Sequence, residues 1–165
     1  MTRIGLISDT HSYFDPKFQT LFAQCDEIWH AGDIGDISVL DKMQSLKTTR
    51  AVYGNIDNAT IRRELKEIER FTVDGVDVMM VHIGGYPKNY SPAIKNHLLK
   101  KTPKLFISGH SHILKVMYDK DLNLLHINPG AAGKQGFHAV RTALRFTLDN
   151  GEIKDMEVIE LSKRP

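Results

Sequence analysis

A chain of 165 residues with a formal net charge of +2 is sized for one domain with a single core, and that charge is too small to argue for nucleic acid as the main partner. Cys25 is its only cysteine, which excludes an intrachain disulfide and a thiolate metal site. The opening apolar run, residues 4–7, is too short for a signal peptide or a membrane span, so one soluble cytoplasmic domain over residues 1–165 is expected.

Taken in order, residues 3–8 predict a buried strand bounded by the turn-like Asp9-Thr10. Pro16 opens a helix in which Phe18, Leu21 and Phe22 recur at helical spacing. Glu27-Ile28-Trp29-His30 predicts a second strand running into Ala31-Gly32-Asp33, and a helix follows over residues 37–46, with Leu40, Met43 and Leu46 on one face. Ala51-Val52-Tyr53 is a third strand, ending at Gly54-Asn55. This strand-helix alternation predicts a parallel sheet with right-handed crossovers.

The pattern changes after Leu65. Two apolar runs flank Asp74-Gly75 and predict a hairpin. Ser91 and Pro92 start a helix that ends in lysines at 100 and 101, and residues 105–107 form a strand leading to Gly109-His110. Residues 113–118, 122–127, 139–148 and 153–159 read as antiparallel strands. The prediction is one α/β domain with two sheets, the second largely antiparallel, and no repeat or linker.

Polar residues with metal-binding chemistry punctuate this scheme. Asp9, Asp33, Asn55, His82 and His110 each stand at or just after the carboxyl end of a predicted strand, the edge where loops converge in open α/β sheets. His11 and His112 lie two residues beyond Asp9 and His110, a spacing that in extended backbone puts both side chains on one side. Asp33 has two oxygens and is the natural bridge between two cations; Asn55 adds a neutral oxygen. The imidazole and oxygen set suits manganese first, with iron, zinc or nickel as alternatives, whereas magnesium and calcium prefer oxygen alone. Singly, each motif has an ordinary reading as a turn, a helix cap or a core histidine. Order, spacing and the shared edge together point to a site for two divalent ions.

These motifs resemble those of the calcineurin-like metallophosphoesterase superfamily, whose pattern is D-x-H, G-D, G-N-H-[DE], a histidine, then G-H-x-H. Here it runs Asp9-Thr10-His11, Gly32-Asp33, Gly54-Asn55-Ile56-Asp57, His82 and Gly109-His110-Ser111-His112. The small size, His30-Ala31-Gly32-Asp33 and Asn128-Pro129-Gly130 are most similar to the small phosphodiesterase branch that also includes the retromer subunit Vps29. The resemblance implies a four-layer αββα sandwich with two mixed sheets. It also implies one ion held by Asp9, His11, Asp33 and His112, and another held by Asp33, Asn55, His82 and His110.

Two cations roughly 3.5–4 Å apart activate a bridging water and clamp phosphoryl oxygens, so no protein nucleophile is required. The expected function is a dinuclear phosphoesterase, a phosphodiesterase before a phosphomonoesterase, acting on a small phosphate ester through a bridging hydroxide. Asp33, Asn55 and Asp57 are its candidate catalytic residues, with Asp57 either orienting Asn55 or capping a helix. The chain departs from the family at Ile56, where a histidine that could protonate the leaving alkoxide is replaced. That departure keeps a Vps29-like protein-binding scaffold as the alternative, and a homo-oligomer is an open expectation. A (β/α)₈ hydrolase is excluded, since that barrel needs about 250 residues. His30 is either a ligand-supporting or a satisfied buried imidazole. Lys134, His138 and Arg141 are weak candidates for phosphate contact.

Overall fold

The computed structural model describes residues 1–163, which form ten strands and four helices in two five-stranded sheets. Sheet one has the order β10-β9-β1-β2-β3, and sheet two the order β4-β5-β6-β8-β7. Here β1 is Thr2–Ile7, β2 Glu27–His30, β3 Thr48–Ala51, β9 Val140–Asp149 and β10 Glu152–Lys163. In sheet two, β4 is Ile68–Val73, β5 Val76–Val81, β6 Leu105–Ile107, β7 Lys115–Asp119 and β8 Leu124–Asn128.

Strands buried on both faces read as continuous apolar runs, and the packing shows where each face goes. Ile4, Leu6 and Trp29 of sheet one meet Val78, Met80, Leu105 and Ile107 of sheet two in a core between the sheets. The alternate residues Ile7, Ile28 and Ala51 face outward onto α1 (Lys17–Leu21), α2 (Ile37–Leu46) and α3 (Ala59–Glu64). Met79, Val81 and Phe106 likewise face α4 (Pro92–Lys100), through Ile94 and Leu98. Helices, sheet, sheet and helix are therefore the four layers. Gly5 belongs to this packing, because a Cβ there would stand within 2.8 Å of the Phe22 ring carbons.

Capping follows the local chemistry. Asp36 accepts from Ser38 N to start α2, and Pro92 occupies the first turn of α4. Asp74 and Gly75 both take positive φ, the type I′ geometry that joins β4 to β5.

Two expectations need correction. The second sheet is evenly mixed: β5–β6 and β6–β8 are parallel, while β4–β5 and β7–β8 are antiparallel. The last hairpin does not extend that sheet; β9 pairs antiparallel with β1 and makes the first sheet mixed. Hairpin sequence specifies its own pairing but not the sheet edge that receives it. Helix α3 is six residues long and is capped by Asn58, which accepts from Ile61 N, one residue beyond the Asp57 cap that the sequence offered. Among the described residues, no helix is long and apolar enough to cross a membrane.

Candidate metal centre

Five strands end at the same edge: β1, β2 and β3 from one sheet, β5 and β6 from the other. The loops that follow bring the seven predicted side chains together. Ligand-capable atoms of Asp9, His11 and His112 lie within 4.8 Å of one another, as do those of Asp33, His82 and His110. The two groups border each other, with His11 Nε2 3.6 Å from Asp33 Oδ2 and His82 Nε2 3.8 Å from Asp9 Oδ1. Asn55 Oδ1 stands 3.1 Å from His110 Nδ1, beside the second group.

The backbone route differs from the sequence reading. Asp9, His11, His110 and His112 all have positive φ, so tight left-handed turns, not extended segments, aim each pair.

For Asp9, Asp33, His82 and His112, the inward atom is set by a bond on its far side. Ser8 Oγ donates to Asp9 Oδ2 at 2.7 Å and His110 N donates to the same oxygen, which leaves Oδ1 inward. Asp33 Oδ1 accepts from Ile56 N, which leaves Oδ2. His82 Nδ1 lies 2.7 Å from Ala31 O; a carbonyl only accepts, so Nδ1 carries the hydrogen and in the neutral ring Nε2 keeps a lone pair. His138 Nε2 donates to Gly133 O at 2.8 Å by the same logic, and its Nδ1 lies 3.3 Å from His112 Nδ1. In a neutral His138 that nitrogen accepts from His112, freeing His112 Nε2.

Asp9 Oδ1, His11 Nε2 and His82 Nε2 are buried without a hydrogen-bond partner among the described residues. His112 Nε2 and His82 Nε2 lie 3.2 Å from Asp9 Oδ1 and Asp33 Oδ2 respectively. Ligands about 2.1 Å from a common ion stand roughly 3.0–3.4 Å apart, so this donor set fits divalent metal. Electrostatics agree. Burial would raise the Asp9 and Asp33 carboxyls, but His112 and His82 at Asp9, and His82 at Asp33, outweigh it and hold both below the ordinary range. Burial would lower His82, yet Asp33 and Asp9 raise it, so the pocket calls for positive charge.

Asp57 receives Ile34 N, Gly35 N and Gly54 N on its two oxygens, tying the loop after β2 to the loop after β3. It is a tether, and Asn58 rather than Asp57 caps α3. His30 is a satisfied buried imidazole: Nδ1 accepts from Gly32 N, and Nε2 donates to Thr10 Oγ1, which donates to Ile34 O. Burial lowers its pKa to about 4 and keeps it neutral. Arg141 is no phosphate contact, since it is buried against Asp15, Ala132 O and Ser162 Oγ. Lys134 Nζ sits 4.1 Å above the Tyr13 ring.

The supporting roles of Ser8, Asn128 and His138 escaped the sequence reading. Asn128 donates to Gly109 O and accepts from Gly130 N, bracing the Gly109–His110 turn. Its Asn-Pro-Gly context was the one available signal.

The profile of the calcineurin-like phosphoesterase superfamily domain matches residues 2–151. A probable metallophosphoesterase of Methanocaldococcus jannaschii is 34% identical over 137 residues, covering 78% of this chain and 67% of that protein. A structure described as a novel archaeal phosphodiesterase superposes with TM-score 0.78 at 19% identity, over 96% of this chain and 99% of the other. Vps29 from Chaetomium thermophilum gives 0.75 at 16% identity, with both chains fully covered. At those identities the two structures establish the shared fold. With the matched profile and the archaeal relative, the chain belongs to the calcineurin-like phosphoesterase superfamily.

Proposed function

We propose that this single domain, residues 1–165 (164 and 165 lying outside the described residues), is a cytoplasmic dinuclear metal-dependent phosphoesterase, with diesters preferred over monoesters. Asp9, His11, Asp33 and His112 hold one divalent ion, and Asp33, Asn55, His82 and His110 hold the other. Manganese is the first candidate, with iron, zinc and nickel behind it. The observation that carries this reading is the convergence of three buried, unpartnered atoms, Asp9 Oδ1, His11 Nε2 and His82 Nε2.

When bound, the ions supply Lewis acidity, which activates a water as nucleophile and neutralises charge on the phosphoryl group. The chain's own residues do the positioning. Ser8 and His110 N fix Asp9, Ala31 O fixes the His82 tautomer, and His138 fixes His112. Asp57 acts as a positioning residue through the loops that carry Asp33 and Asn55. Nothing at Ile56 donates a proton to a leaving group, and its side chain is exposed.

The test pairs metal analysis of the purified protein with hydrolysis of bis(p-nitrophenyl) phosphate and p-nitrophenyl phosphate. Two ions per chain, diester turnover and its loss in Asp33→Asn support the enzyme. One feature favours a second reading, a Vps29-like scaffold with weak or absent hydrolysis. Edge strand β7 exposes Val116, Met117 and Tyr118 to solvent. Two ions without turnover of any ester would select it.

A further inference from the structure

A cavity of about 580 Å³ adjoins the metal centre and shares Gly109 and His110 with it. Tyr86 and Tyr90 line it from the loop between β5 and α4, Ile113 and Lys115 from the segment entering β7, and His126 from β8. Most of its polar groups are already used within the protein. Asn89 donates to the Tyr86 hydroxyl at 2.7 Å, Tyr90 donates to Asp119 Oδ2 at 2.6 Å, and Asn128 braces the Gly109 turn. Lys115 Nζ lies 4.1 Å from the centroid of the Tyr86 ring.

One buried side-chain nitrogen of the cavity wall lacks a partner among the described residues. His126 is buried, its Nε2 pairs with Ser108 Oγ at 2.9 Å, and its Nδ1 has no partner among the described residues. Burial pulls its pKa to about 4, so the ring is neutral near pH 7 and adds no charge to the cavity wall. A polyhydroxylated arm would leave hydroxyls unpaired against Ile83, Ile113 and the tyrosine rings. A second anionic group would find Lys115 alone. A planar ring stacks on tyrosine and brings no hydroxyls that the apolar walls would leave unpaired.

We propose that this cavity is the subsite for an aromatic arm of the ester, an aryl or heteroaryl group held among Tyr86, Tyr90 and Ile113. It rests on the phosphoester reading of the adjacent centre. The probes are phenylphosphonate and methylphosphonate, whose carbon–phosphorus bond resists hydrolysis, titrated calorimetrically into the manganese-loaded full chain. Phenylphosphonate binds about tenfold more tightly than methylphosphonate. That ratio falls to within twofold in Tyr86→Ala and in Ile113→Asp, and Tyr86→Phe restores it. Both Tyr86 and Ile113 are exposed, so the fold tolerates the changes.

Equal affinities in the native protein, no binding of either probe, or a ratio that survives both variants would overturn the subsite. Hydrolysis of bis(p-nitrophenyl) phosphate separates the two ideas. Turnover without a phenyl preference removes the subsite and keeps the enzyme; a phenyl preference without turnover removes the enzyme and keeps the subsite.

Discussion

Asp9, His11, Asp33, His110 and His112 hold φ between +45° and +70°, a region that only a few per cent of non-glycine residues occupy. Such conformations persist where surrounding structure over-determines them, and they cluster at functional sites. Here the over-determination is explicit: His11 N donates to Asp33 O, Asp9 N donates to Gly32 O, and His110 N donates to Asp9 Oδ2. At this scale the residues that converge were legible, because their types and order carry the signal. The tautomer-setting partners were not, because Ala31 O and Gly133 O are main-chain atoms that any residue supplies. His138 gives the sharpest residue-level prediction. His138→Ala lowers manganese affinity at one of the two sites by about 10–100-fold in a calorimetric titration, and His138→Gln recovers part of it through an amide acceptor. Ile56 gives a second. Without a proton donor, rates across aryl diesters fall steeply as the leaving-group pKa rises, since general acid assistance is worth about 10²–10⁴-fold. A flat dependence would mean that another group donates the proton.

Loops carry the candidate ligands, so the elements matter through what ties those loops down. Asp57 joins the loops after β2 and β3 by accepting three backbone amides while buried. Asp57→Ala leaves those donors unsatisfied and costs about 2–4 kcal/mol in urea unfolding. The sequence offered Asp57 as a metal helper or a cap because it sits beside Asn55; only the fold reveals that two of its three partners, Ile34 N and Gly35 N, lie 23 and 22 residues earlier. A second tie joins the segment before α1 to β9, where Arg141 Nη2 stands 2.5 Å from Asp15 Oδ2. Burial would raise the Asp15 carboxyl, but the Arg141 bond outweighs it and holds the pKa below 3.8. A folded-state pKa below the unfolded one gives stability that is complete above pH 3.8 and is lost as pH falls through the folded value. Arg141→Met strands a buried carboxylate and costs about 3–5 kcal/mol at pH 7. In that variant the Lys17 amide still donates to Asp15 and its ammonium still favours the carboxylate, so the folded pKa rises toward the ordinary value and the loss of stability on acidification becomes shallower. Unfolding curves between pH 3 and pH 7 distinguish the two slopes.

Across the whole molecule, two sheets share an inner core and deliver five loops to one edge. The parallel half was readable from the β1-α1-β2-α2-β3 alternation, because apolar period and cap residues agree there. The destination of the β9–β10 hairpin was not, since pairing with β1 rather than with sheet two depends on contacts more than a hundred residues apart, such as Ile4 with Phe146. Buried carboxylates and imidazoles are concentrated at that edge, so the proposed metal centre predicts a folded state stabilised by cations. Manganese at a hundredfold over its dissociation constant adds about 2.7 kcal/mol to stability. A chelator should therefore lower the thermal midpoint by roughly 5–10 °C, read by calorimetry. No change on chelation would mean that the cluster is satisfied without metal.

The most direct measurement is an anomalous scattering map from crystals of manganese-loaded protein. Two peaks are predicted, one among Asp9, His11 and His112 and the other among Asp33, His82 and His110, with Asp33 contacting both. A single peak, or manganese bound away from these residues, would contradict the dinuclear centre.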